Sequence, residues 1–185
     1  MSTIRADAAR YDRVAIGLHW LSALLVLAAI ALIEVKGWFP RGDALRDGVK
    51  LWHFQLGVLV LLATCCRIAW RAAGRRPEPA APRGSRQARL AAAAHGVLYL
   101  LLLALPLSGL AVLVAAGKPV SLFGWELPLW AEGSKAAAKT AKRLHETAGN
   151  LMIALVAAHV GAALWHRFVR RDGVLARMLP ARGAH

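Results

Sequence analysis

His145 and His159 stand fourteen residues apart in one apolar stretch near the C-terminus. Fourteen residues is close to four helical turns, so both imidazoles project from one helix face, about 21 Å apart along the axis. The hydrocarbon core of a bilayer is about 30 Å thick, which sets the two rings at opposite membrane depths. Each then needs a partner of its own, and two earlier apolar segments carry one histidine each, His19 and His53. Depth matching pairs His19 with His159 and His53 with His145. An unpartnered ionisable group inside a bilayer is costly, which makes intramembrane histidines functional candidates. A single such histidine commonly serves as a helix–helix hydrogen-bonding residue; two depth-matched pairs ask for more. Two histidines are too few for a closed structural zinc site, which takes about four protein ligands. They suit the two axial positions of a haem iron, whose porphyrin supplies the other ligands and fits an apolar bundle interior.

Four apolar segments position these residues, at about 14–33, 51–70, 90–116 and 145–169. Each approaches the roughly 20 residues that a spanning helix requires. Ala and Leu dominate them, which favours helix, and the alternating polarity of a membrane barrel is missing. The sequence thus predicts an all-α transmembrane four-helix bundle, a single membrane domain over 1–185. Apolar residues make up 58% of the chain and charged residues 18%, with a mean hydropathy of +0.46, unlike a soluble domain. The net charge of +14 comes with no nucleic-acid recognition motif, so no nucleic-acid partner is expected. Cys65 and Cys66 are adjacent in an apolar run and read as packing residues, not as a disulfide or a metal site. The first segment is expected to be a span and not a cleavable leader. Pro106 is expected to kink the third segment without breaking it.

The connections give orientation. Of the 24 Lys and Arg residues, 15 lie before position 14, between 67 and 89, or after 166. The positive-inside rule then puts both termini in the cytoplasm. Trp38, Phe39, Trp125 and Trp130 fall at the outer interface, where aromatic rings concentrate. The run KAAAKTAKR, from Lys135 to Arg143, is expected to form a short interfacial helix. Gly17, Gly57 and Gly149 sit two or four residues from His19, His53 and His145 and serve either a flat macrocycle or close helix packing.

Several stretches resemble the prokaryotic cytochrome b561 family. They are RVAIGLHWLSALL with the following GWFPRGD, KLWHFQLGVLVLLATCCRIAWR, AHGVLYLLLLALPLSGL, and RLHETAGNLMIALVAAHVGAALWHRFVRRDGVLARMLP. The resemblance covers nearly the whole chain. It implies a bacterial inner-membrane protein holding two b-type haems by bis-histidine ligation, with ligands on His19, His53, His145 and His159. Depth matching selects the same four.

Other polar residues carry paired readings. Arg67 and Arg71 are placed either to bind haem propionates through charge-assisted hydrogen bonds or to anchor the span end. His95 and His166 are candidates for hydrogen bonding a quinone or relaying protons, against packing and interfacial roles. Glu146 is expected to cap the helix start or to orient His145, and His185 is terminal. Ala154, Ala158 and Gly161 serve contacts within or between chains. Lys135, Lys139, Lys142 and Arg143 form a basic outer rim that would concentrate a small anion, or simply a solvated face.

Two haems at different depths make an electron conduit, and bis-histidine iron has no open site for oxygen chemistry. The resemblance implies an oxidoreductase that oxidises superoxide at the periplasmic side and passes electrons to ubiquinone. A haem-bearing anchor for a partner dehydrogenase or hydrogenase is the alternative, and a non-redox helical transporter a third. The expected partners are membrane lipid, ubiquinone, and superoxide or a redox protein.

Overall fold

The computed structural model describes residues 10–74, 81–82, 84–128 and 132–180; Trp130 and His185 lie outside the described residues. Four long helices dominate: α1 (Arg13–Val35), α2 (Ala44–Ala73), α3 (Arg86–Ala115) and α4 (Lys135–Trp165). Each starts where a short polar side chain takes up a first-turn backbone N–H. Asp12 accepts from Ala15 at 2.9 Å, Asp43 from Leu45 at 2.8 Å, Ser85 from Ala88 at 3.1 Å and Ser134 from Ala137 at 3.4 Å. These caps satisfy donors that a helix start otherwise leaves open. All four helices are long and apolar enough to cross a membrane. Leu21, Leu24, Leu27, Leu62, Leu100, Leu107, Val160 and Leu164 are exposed along them, as a lipid-facing surface requires.

The helices overlap the four apolar segments and differ most from them at the fourth. Lys135–Arg143 is not a separate interfacial helix; it is the first two and a half turns of α4. Ser134 supplies the start signal, and the Ala- and Lys-rich run holds no breaker before His145. Glu146 therefore lies three turns inside the helix, too far in to cap it, and pairs instead with Lys142 at 3.3 Å. Pro106 sits within α3, which continues through it.

Helix α1 packs on α2, α2 on α3, and α3 on α4. Ser22 and Ala29 of α1 and Ala63 and Thr64 of α2 are buried. Small side chains there let the two backbones approach. The buried hydroxyls bond within their own helices, Ser22 to Leu18 and Thr64 to Val60, both at 2.7 Å. Direct packing of α4 against α1 or α2 is much weaker. One apolar cluster, Val60, Leu101, Leu102 and Met152, fills mid-depth, with Leu25 and Val26 of α1 against it. Met152 is seven residues from His145 and seven from His159, so this cluster lies between the two histidine levels.

Between α3 and α4 a two-stranded hairpin, β1 (Val120–Leu122) and β2 (Trp125–Leu127), covers one end of the bundle. Phe123 and Gly124 both have positive φ, 48° and 90°, the tight turn whose twist suits paired strands. The chain ends of α3 and α4 meet at Gly117 and Gly133, where an added Cβ would come within 2.9 Å of backbone. At the other end the terminal segments close over α1. The Trp20 indole donates to the Met178 carbonyl at 2.7 Å, and Arg10 donates to the Leu179 and Pro180 carbonyls at 2.6 and 3.0 Å.

Candidate functional site

At the hairpin end, His53 of α2 and His145 of α4 face each other with ring centroids 6.1 Å apart. The other two helices set their orientation. The Ala29 carbonyl of α1 lies 2.8 Å from His53 Nδ1. A carbonyl can only accept, so Nδ1 carries the proton and Nε2 keeps its lone pair. His145 Nδ1 lies 3.0 Å from Ser108 Oγ of α3. Gly109, next in sequence, lets α3 come close: a Cβ there would stand 3.3 Å from His145 Cε1.

At the termini end, His19 of α1 and His159 of α4 have centroids 6.3 Å apart. Their surroundings are cationic and imidazole-rich. Arg67 of α2 lies with Nη2 3.3 Å from His19 Nδ1 and its guanidinium 5.1 Å over the Tyr99 ring of α3. His95 of α3 lies 5.6 Å from His159, centroid to centroid. Arg71 is exposed one turn further along α2. Beyond α4, His166 opens a π-helical turn (His166–Arg170) and donates from Nδ1 to Asp172 Oδ2 at 2.6 Å. That hydrogen bond holds the Asp172 carboxyl below its usual pKa.

Both pairs bridge helices that scarcely touch, α4 with α2 and α4 with α1, so each spans a gap between helices. The donor set and spacing fit a bis-histidine haem. Centroids 6.1 and 6.3 Å apart leave room for one metal ion between each pair of rings, at about 2.0 Å from a nitrogen of each. An added Cβ on Gly17, Gly57 or Gly149 would meet nothing within 4 Å, leaving room beside the rings. Among the described residues no group of three or more His, Cys, Asp or Glu side chains converges as a metal site.

Lys135, Lys139, Lys142 and Arg143 line the first turns of α4, all exposed, with Lys142 engaged by Glu146. Sequence reasoning missed Ser108, Gly109, Tyr99 and Gln55. Gln55, 4% exposed, holds the hairpin: its Nε2 donates to the Ser121 carbonyl at 2.9 Å and its Oε1 accepts from Phe123 N–H at 3.3 Å. A glutamine two residues from His53 in an apolar run was the visible signal. The hydroxyl of Ser108 was equally visible, but its partner was set by α3–α4 packing.

Four membrane-length helices, three of them carrying the opposed histidines, form a helical bundle of the kind that suits a membrane cytochrome. Sequence comparison gives the family: the chain belongs to the prokaryotic cytochrome b561 proteins, matched over residues 10–181, a family of b-type haem proteins in electron transport. It is 32% identical to cytochrome b561 homolog 1 of Escherichia coli K12, over 94% of this chain and 98% of that protein. It is 34% identical to the probable superoxide oxidase CybB of Yersinia pestis, over 92% and 96%. Cytochrome b561 homolog 2 of Escherichia coli K12 is 35% identical, over 92% and 91%.

Proposed function

We propose that this protein is a dihaem b-type cytochrome of the bacterial inner membrane, with both termini cytoplasmic, that oxidises superoxide at its periplasmic face and reduces ubiquinone. The observation that carries the reading is the pair of histidine couples, 6.1 and 6.3 Å apart, each across a gap between helices. His53 with His145 would hold one haem and His19 with His159 the other. A haem held by each pair would supply one-electron exchange, and two imidazoles would leave it no site for oxygen chemistry. The chain's own residues supply the rest. The Ala29 carbonyl fixes the proton of His53 on Nδ1, so Nε2 would be the ligating nitrogen. Arg67, and Arg71 one turn on, would bind the carboxylates of the termini-end haem.

Two superoxide anions give up two electrons, and ubiquinone takes up two electrons and two protons. Lys135, Lys139, Lys142 and Arg143 would raise the local concentration of the anion at the periplasmic rim. The name of the Yersinia pestis relative supports that substrate. Protons for the quinone would enter at the cytoplasmic end. There Asp172 keeps the His166 proton on Nδ1, leaving Nε2 to exchange, and His95 stands beside His159. Stopped-flow mixing of superoxide with the oxidised protein tests the reading. Rapid haem reduction, followed by reoxidation on adding a ubiquinone analogue, is the expected result. Haem that superoxide leaves oxidised, but that a copurifying dehydrogenase reduces, would replace this reading with a membrane anchor for that partner.

A further inference from the structure

The hydroxyl of Ser108 bonds two groups at once: the Leu105 carbonyl at 2.8 Å and His145 Nδ1 at 3.0 Å. A hydroxyl has one proton and two acceptor lone pairs. The carbonyl can only accept, so the serine proton goes to Leu105 and the oxygen offers His145 a lone pair. His145 is thereby required to carry its own proton on Nδ1. Its ring is also seated from the side by Gly109, where a Cβ would press on Cε1 at 3.3 Å.

We infer that Ser108 is a positioning residue for the hairpin-end haem: it fixes the tautomer of His145 and raises the basicity of its ligating nitrogen. The inference rests on the dihaem reading above. An acceptor on the distal ring nitrogen of a ligand makes that ligand more electron-donating, and loss of such a partner commonly costs about 10–100-fold in metal affinity. A more donating imidazole favours the oxidised iron, so Ser108 holds the potential of this haem down.

The test is a spectroelectrochemical titration of the purified full-length protein with two variants, Ser108→Ala and Ser108→Thr. The hairpin-end centre is assigned on the His19→Ala background, which leaves it alone. Ser108→Ala is expected to raise the midpoint potential of that centre and to speed its haem loss to apomyoglobin about tenfold or more. The other centre should not move. Ser108→Thr keeps the hydroxyl and should restore both values. Two haems with unchanged potentials in Ser108→Ala would overturn the role of Ser108 while leaving the dihaem reading intact. A shift that Ser108→Thr fails to restore would overturn it too, because bulk and not the hydroxyl would then be responsible. Wild-type protein without a hairpin-end haem would overturn both.

Discussion

The two histidine pairs have nearly the same ring separation but opposite surroundings. At the hairpin end, each Nδ1 meets a neutral oxygen, the Ala29 carbonyl or the Ser108 hydroxyl. At the termini end, His19 Nδ1 meets the Arg67 guanidinium and His159 meets a further imidazole. A neutral acceptor leaves Nε2 free to ligate with no further change. A guanidinium can only donate, so a neutral His19 facing it must carry its proton on Nε2, the nitrogen that would have to bind iron. For His19 to ligate through Nε2, Arg67 must let go of Nδ1, and an anionic haem carboxylate is the group that would draw it away. On the dihaem reading, one end would be set by the polypeptide and the other would complete itself on binding.

Exchanging the ligands breaks the comparison most severely. His53→Ala or His145→Ala should lower haem content from two per chain to one, with the termini-end spectrum retained, and His19→Ala or His159→Ala should do the reverse. Loss of the opposite haem in either case would disprove the pairing. Gly109→Val comes next. Its branched side chain occupies the space of the His145 ring, so hairpin-end occupancy should fall several-fold by haem quantification while the other haem is kept.

Arg67→Gln sharpens the other side: the termini-end potential should shift, the hairpin-end potential should stay, and equal shifts at both would deny the asymmetry. Gln55→Leu removes both partners of the hairpin from a buried site, leaving a carbonyl and an N–H unmet. A loss of about 1–3 kcal/mol should appear in thermal unfolding, with faster haem loss confined to the hairpin end.

The smallest effect belongs to Asp12, which caps α1 and accepts from the Trp70 indole at 3.0 Å. Asp12→Ala should cost about 1 kcal/mol. The Ala15 N–H holds the Asp12 carboxyl below its ordinary value of 3.8 in the folded chain. Its contribution is therefore complete above that value and is lost as pH falls through the lowered one. The gap between wild type and Asp12→Ala should close on acidification; a gap that widens would contradict the cap.

The helices were legible because their signal is local: apolar runs of spanning length. The four histidines could be read as well, since a fourteen-residue spacing on one helix converts directly into depth. The hairpin was not legible, because its two three-residue strands are held by Gln55, a long-range contact, and carry little apolar alternation of their own. The capping role read for Glu146 failed for a related reason. The helix start was taken from the beginning of the apolar run, whereas α4 begins at Ser134 and extends well beyond it. The contrast between the two ends was also hidden: Ala29, Ser108 and Arg67 reach the rings only through packing of α1, α2 and α3.

Quantitative pyridine haemochrome analysis of the purified full-length chain, read with a reductive titration, tests the central claim most directly. Two b-type haems per polypeptide, titrating as two distinct centres, are the expected result. A colourless protein, or one haem per chain, would contradict it.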